Sequence, residues 1–281
     1  MRHDMHIRSA VRCARASAVT LLAGAAFLAD ATPGAAQGLA ARVAAAPADA
    51  TVRFTFDAKP GVCGDGESIS MLRDGAIIMS HGRSWRVENG RYVSQDGACE
   101  EGPVRIDLTK SGGAITDARV AVGGTVQPID IDLGRIDAGA AVEFLLADNT
   151  LDASARRPAE RLVFAATLAD AESWPSLLRV ARNQRLGDDA RKSAIFWLSQ
   201  VAGERATEGL TSVIGNDTDE MEIRKQAVFA LSQVKGEASI DALIDVARTS
   251  REPEIRKQAI FWLGQSKDPR VLAFFEEVIR G

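Results

Sequence analysis

The second half of the chain repeats one sequence three times, as ARKSAIFWLSQ at residues 190–200, IRKQAVFALSQ at 223–233 and IRKQAIFWLGQ at 255–265. The offsets are 33 and 32 residues, and a weaker copy occupies residues 160–182. A second apolar run follows each copy after a short break. Self-similarity at a fixed period of this length indicates stacked copies of one supersecondary unit.

Each unit is predicted to contain two helices. The first helix carries five apolar residues in succession, for example AIFWL at residues 194–198. A surface helix would show one apolar stripe, whereas five consecutive apolar residues cover most of the helix circumference. Such a helix has to be covered by its partner helix and by both neighbouring repeats. The second run of each unit is more amphipathic, and we expect it to bury one face only.

This pattern resembles HEAT repeats, and more narrowly the short bacterial HEAT-like repeats that also occur in phycobilisome lyases. The resemblance covers residues 157–281 as about four units. It implies antiparallel helix pairs stacked into a right-handed superhelix, an α-solenoid that serves as a binding scaffold in most members. No lyase residue is carried over. The whole layout is also similar to exported bacterial HEAT-repeat proteins with a cysteine-bearing N-terminal domain.

Two basic residues recur at adjacent positions of the repeat. They are Arg191, Arg224 and Arg256 in one column, and Lys192, Lys225 and Lys257 in the next. HEAT repeats often place an arginine in a ladder with acids of the adjacent unit, so the resemblance implies a structural role for the arginines. The lysines are predicted either to be solvated or to form a basic ridge that binds an acidic partner.

Two tryptophans recur at another position of the repeat. Trp197 and Trp262 stand where the middle copy has Ala230. Aromatic residues dominate the energetics of protein interfaces, so these two are candidate partner-binding residues on either side of a shallow gap. The alternative is packing between repeats, because other apolar residues surround each of them.

The repeat array ends on an apolar helix. Its sequence, VLAFFEEVIRG at residues 271–281, has no polar capping repeat after it. Terminal repeats usually need a polar outer face. We therefore expect this end either to be covered by the N-terminal domain or to contact a partner, which includes self-association with a second copy.

The first 36 residues have the organisation of a secretory signal peptide. Four arginines precede the apolar run ASAVTLLAGAAFLA, and small residues then offer a cleavage site after Ala36 or Ala31. A basic segment, a short apolar segment and a small-residue site together indicate export, so the mature protein is predicted to be periplasmic or secreted. Residues 37–50 are mostly alanine and are predicted to be a flexible leader.

Residues 51–136 are predicted to form a β domain. Short alternating runs such as TVRFTF at 51–56 are separated by Gly, Asn-Gly and Asp-Gly steps. These steps are typical of tight hairpins, so we expect an antiparallel meander that forms a sandwich or a barrel. Residues 137–156 are predicted to be a connecting helix and a hinge to the repeats.

Cys63 and Cys99 are the two cysteines that remain after the predicted leader is removed. Such a pair normally forms a disulfide in an oxidising compartment, and the chain-entropy model assigns a bridge over this loop roughly 3–4 kcal/mol. The alternative makes Cys63 a nucleophile with His81 as its base.

The composition excludes several function classes. The chain has 34 basic and 38 acidic residues, a balance that argues against nucleic-acid binding. It has three histidines and three cysteines, too few for a rich metal site. We predict a non-enzymatic protein-binding scaffold with no cofactor, no metal and no integral membrane segment in the mature chain. The alternative is ligand sensing or acid–base catalysis by His81, with Asp65 and Glu67, and with the repeats as a docking platform.

Overall fold

The computed structural model describes residues 33–73, 76–81, 86–88, 91–93, 98–152 and 156–280. Residues 1–32, which include most of the predicted signal peptide, lie outside this part of the chain. The strands are β1 (Ala50–Phe56), β2 (Val62–Gly64), β3 (Ile69–Arg73), β4 (Ala76–His81), β5 (Arg86–Glu88), β6 (Arg91–Val93), β7 (Glu100–Glu101), β8 (Val104–Ser111), β9 (Ala114–Ala121) and β10 (Ile131–Arg135). The helices are α1 (Pro33–Ala45), α2 (Ala138–Leu145), α3 (Asp148–Asp152), α4 (Arg156–Leu168), α5 (Trp174–Arg182), α6 (Asp188–Val201), α7 (Arg205–Ile214), α8 (Met221–Gln233), α9 (Glu237–Thr249), α10 (Pro253–Leu263) and α11 (Pro269–Arg280).

A four-stranded sheet with the order β10-β1-β8-β9 forms the centre of the N-terminal region. Val52, Phe54 and Phe56 alternate along β1 and are completely buried, as the two-residue period of a strand requires. The β1–β8 and β8–β9 pairs are antiparallel, whereas β10 runs parallel to β1. The predicted antiparallel topology is therefore wrong for β10. Residues 122–130 carry the chain from the β9 edge to the opposite edge of the sheet, whereas a hairpin would have paired β10 with β9.

A second four-stranded sheet is antiparallel and has the order β4-β3-β2-β7. Cys63 of β2 forms a disulfide with Cys99, and their Cα atoms are 5.1 Å apart. The predicted bridge is confirmed, and it fixes the two-residue edge strand β7 covalently to its neighbour β2. β5 and β6 form a separate two-stranded sheet. None of the sheets in the described residues closes into a barrel.

Helix α1 occupies the segment predicted to be a flexible leader, so that prediction is wrong. Leu39 and Val43 are buried, because they lie four residues apart on one side of the helix, and Ala46 directly after the helix is buried as well. Lys110 of β8 donates its ammonium hydrogens to the carbonyls of Val43 at 2.9 Å and Ala46 at 2.8 Å. These bonds satisfy carbonyls at the end of α1 that have no partner within the helix.

Helix α2 lies in the segment predicted to be a connecting helix, and α3 lies in the segment predicted to be a hinge. Val142, Phe144 and Leu145 of α2 are buried, and the ring of Phe144 meets that of Phe54 edge to face at 5.8 Å. Arg179 of α5 donates to the Asp148 carboxylate at 2.8 Å and so ties α3 to the first repeat. The described part of the predicted hinge is therefore helical and held by contacts on both sides.

Helix α4 joins the sheets to the repeats. Arg161 of α4 donates to the Asp117 carboxylate of β9 at 2.6 Å and to the Ala118 carbonyl at 2.9 Å. Lys59 donates through its backbone N–H to Leu168 and through its ammonium group to the Thr167 carbonyl. Burial against α4 lowers the pKa of Lys59 below the usual value of a lysine. The β region thus covers the first end of the helical array.

From α4 onward the helices form the pairs α4–α5, α6–α7, α8–α9 and α10–α11. The first helices of successive pairs, α4, α6, α8 and α10, pack side by side in a row. This arrangement confirms the predicted α-solenoid of about four units. Among the described residues, no helix combines the length and the hydropathy needed to cross a bilayer.

Candidate functional site

The last repeat exposes apolar positions that earlier repeats bury. Ile195 of α6 and Val228 of α8 occupy equivalent positions and are completely buried, whereas Ile260 of α10 is 40 % exposed. Phe261 beside it is 54 % exposed. The equivalents of Phe261 in the earlier units, Phe196 and Phe229, are partly buried. The first helices stack in a row, and within the described residues no further helix follows α10 in that row.

Helix α11 adds further exposed apolar side chains to this end. Leu272, Val278 and Ile279 are largely exposed, and Ile279 reaches 84 %. We call Ile260, Phe261, Leu272, Val278 and Ile279 the end face. Exposed apolar groups on consecutive helices are typical of protein-interaction surfaces.

The helical pairs match a known family. The sequence profile of HEAT repeats matches residues 175–264, from the start of α5 to the end of α10. Residues 175–264 therefore contain HEAT repeats. HEAT repeats typically mediate protein–protein interaction. A search of curated proteins found no match to this chain.

Aromatic rings pack between neighbouring HEAT repeats. Trp197 lies over Phe164 of the preceding repeat, with ring centroids 5.0 Å apart, and Trp262 lies over Phe229 at 4.9 Å. The second and fourth repeats thus each pack a tryptophan ring on the repeat before them. The ring of Phe261 contacts Trp262, and within the described residues no further repeat packs over it.

The two tryptophans predicted to bind a partner differ in burial. Trp197 is 9 % exposed and belongs to the core, so its assignment to a binding surface is wrong. Trp262 is only partly buried and lies beside the end face. Ala230 is completely buried, so the expected gap between the tryptophans is filled.

The arginine column of the HEAT repeats satisfies helix ends. Arg191 donates to the carbonyl of Ala181 at 3.1 Å, Arg224 to that of Ile214 at 2.8 Å, and Arg256 to that of Ser250 at 2.7 Å. Each bond joins the first helix of a repeat to the end of the preceding helix. Arg191 also pairs with Asp219 in the turn before α8, which is a contact between neighbouring repeats.

The lysine column lies next to acids of its own helices. Lys192 pairs with Asp188 at 3.0 Å, and Lys225 pairs with Glu222 at 3.2 Å. Lys257 of α10 is exposed. The acids offset part of the positive charge at the first two positions, so the column is not a uniformly basic ridge.

The residues of the alternative acid–base cluster have structural contacts. Asp65 is buried, and its carboxylate accepts the backbone N–H of Glu67 at 2.9 Å and of Ser68 at 2.7 Å. Glu67 pairs with Arg119 and lines a cavity of about 350 Å³ between the sheet and α4. His81 pairs in register with Ile69 of β3, and its side chain lies outside the described part of the chain. No group of three or more potential metal ligands occurs among the described residues.

The turn before α11 fixes the last helix of the end face. Asp268 accepts hydrogen bonds from the backbone N–H of Arg270 at 3.0 Å and from its guanidinium at 2.9 and 2.7 Å. Arg270 also donates to Asp241 of α9 at 2.9 Å. These contacts with Arg270 lower the pKa of Asp268 to about 2.

We expect Arg270→Ala to raise the pKa of Asp268 from about 2 toward the ordinary value of an aspartate, about 3.9. Because the folded-state pKa is the lower one, this contact stabilises α11 above about pH 4 and is lost as the pH falls toward 2. Carboxyl carbon chemical shifts in a pH titration measure the midpoint. Arg280→Ala, which removes the exposed pair with Glu276, is the control and should leave it unchanged. An unchanged midpoint in Arg270→Ala would contradict this assignment.

Proposed function

We propose that the mature protein is an exported HEAT-repeat scaffold that binds a protein partner in the bacterial envelope through the end face. The observation that carries the proposal is the exposure of Ile260 and Phe261, whose equivalents in earlier repeats are completely buried in the case of Ile260 and partly buried in the case of Phe261. The N-terminal end of the array is already covered by β8 and β9. A partner at the other end would bury the apolar surface that the chain leaves open.

Two features support export. Residues 1–36 have the composition of a signal peptide. Cys63 and Cys99 form a disulfide, and such bonds persist in oxidising compartments such as the periplasm. We therefore assign the scaffold to the periplasm or to the secreted fraction.

We further propose that the scaffold has no catalytic activity of its own. The carboxylates available to the alternative acid–base cluster are engaged elsewhere, Asp65 in a turn and Glu67 with Arg119. A general base has to reach the proton that it abstracts, and these contacts hold both groups in structural roles.

The test compares two double variants of the mature protein. Phe261→Lys with Ile279→Lys places charge on the end face, and Glu208→Lys with Ser212→Lys does so at exposed positions of α7. A partner captured from envelope extract by the wild type should be retained by the α7 variant. The end-face variant should bind it roughly tenfold or more weakly, since apolar interface anchors contribute about 2 kcal/mol or more.

Light scattering on the same proteins tests whether the partner is a second copy of the chain. A wild-type dimer that becomes a monomer only in the end-face variant would establish self-association through the last repeat. Equal capture by the wild type and both variants would overturn the proposed role of the end face.

A further inference from the structure

One contact between HEAT repeats joins α6 to the turn before α8, which we call the first junction, and it is missing between α8 and the turn before α10, which we call the second junction. At the first junction, Arg191 of α6 pairs with Asp219, which lies two residues before the start of α8. The Asp219 side chain is 1 % exposed. Its carboxylate also accepts hydrogen bonds from Gln184 at 3.2 Å and Asn216 at 3.0 Å. At the first junction the guanidinium of Arg191 is therefore paired with a buried, hydrogen-bonded acid.

At the second junction, a base stands where the acid is expected. Arg224 of α8 is the fourth residue of its helix, as Arg191 is in α6. Arg251 lies two residues before the start of α10, the place that Asp219 has before α8. The buried acid of the first junction is thus replaced by a second arginine.

The second junction contains an open cavity of about 400 Å³. Arg224, Arg251 and Asp217 contribute charges to its lining, and Thr211, Thr249 and Ser250 contribute hydroxyl groups. The Arg224 side chain is only 5 % exposed and pairs with Asp217 at 3.1 Å. Asp217 is 60 % exposed, so it approaches Arg224 from the rim and not from the buried place that Asp219 takes.

We propose that this cavity binds a carboxylate between Arg224 and Arg251. The pair of Arg191 with Asp219 shows, inside the same chain, that the arginine of this repeat position binds a carboxylate. Guanidinium groups form strong charge-assisted hydrogen bonds with carboxylates. Asp217 offsets one of the two positive charges, which leaves one for the ligand. The site therefore favours a singly charged carboxylate over a doubly charged phosphate.

The carboxylate can come from a free small acid or from an Asp side chain of a protein. The proposal does not depend on the end face, because the cavity lies between α7, α8 and α9 and includes no residue of the end face. The two proposals can therefore fail independently. The end-face variant tests partner capture, and the titration tests carboxylate binding at this cavity.

The test follows the arginine Nε–H resonances of the full mature protein during titration with N-acetyl-aspartate amide, acetate and inorganic phosphate. The Arg224 and Arg251 signals should shift with saturation when N-acetyl-aspartate amide is added. Equal affinity for acetate would assign the site to free small acids. Binding of the aspartate derivative alone would assign it to a protein side chain. Tighter binding of phosphate, or no saturable shift, would overturn the proposal.

Arg251→Asp restores the acid of the first junction within the chain. We expect it to raise the melting temperature and to weaken N-acetyl-aspartate amide binding by at least about tenfold, or ~1.4 kcal/mol. Arg251→Gln removes the charge without adding an acid and should weaken binding at unchanged melting temperature. Arg185→Asp, the same change at an exposed position of the turn before α6, is the control and should bind like the wild type. Equal weakening in Arg185→Asp would mean that general charge, and not the cavity, binds the anion.

Discussion

Arg191→Met should destabilise the protein by about 3–5 kcal/mol, because it leaves a buried carboxylate without its countercharge. Asp219 is 1 % exposed and cannot turn to water when the guanidinium is removed. Methionine keeps most of the length of the side chain, so little of the loss comes from packing. Guanidinium denaturation followed by circular dichroism at neutral pH measures the difference.

The second junction provides the matched control. Arg224→Met removes a pair whose acid, Asp217, is 60 % exposed and stays hydrated. We expect a loss of about 1 kcal/mol, mainly the hydrogen bond to the Ile214 carbonyl. The double variant Arg191→Met with Asp219→Leu should regain much of the stability, since both charges are then absent. Equal losses in Arg191→Met and Arg224→Met would show that the burial of Asp219 does not decide the energetics.

Trp197→Ala should destabilise the protein by about 3–5 kcal/mol through the cavity that it leaves. The indole lies between Phe164 of the preceding repeat and Phe196 of its own helix, with ring centroids 5.0 Å away in both cases. Neighbours on two repeats have to move to refill that space. Thermal and chemical denaturation of the mature protein test the prediction.

Trp262→Ala is the control at the equivalent position of the last repeat. Trp262 is partly buried, and within the described residues it has a repeat on one side only, so we expect a smaller loss that is confined to α10 and α11. Stability in repeat proteins is approximately a sum of nearest-neighbour terms, so hydrogen exchange should localise the effect to the last unit. A larger loss in Trp262→Ala than in Trp197→Ala would contradict the burial difference between them.

Several parts of the candidate site could be predicted from the sequence. The period of 32 to 33 residues fixed the helix pairs and their number, because identical apolar runs at constant spacing have to pack alike. The abrupt apolar end of the array pointed to the end face. The arginine column was visible as a repeated position. Its partners were not, because Asp217 and Asp219 lie in turns whose geometry the repeat pattern does not describe.

Other parts depended on contacts that the sequence does not encode locally. The alanine-rich segment before β1 reads as unstructured, yet the carbonyls at the end of α1 meet Lys110 from 64 to 67 residues away. The parallel pairing of β10 with β1 depends on a crossover that short-range turn signals do not predict. Trp197 and Trp262 differ in burial although their local sequences are nearly identical, so the difference arises from the packing around each repeat.

The sequence by itself determined the repeat architecture, the disulfide pair and the apolar character of the last helix, because periodicity, cysteine number and composition are local properties of the chain. The tertiary structure decided which of the repeated residues are covered and which remain open. Val228 and Ile260 occupy equivalent positions and differ in exposure, and within the described residues a repeat follows the first of them and none follows the second. In the same way, Arg191 and Arg224 differ because the next turn supplies an acid to the first and a second arginine to the other.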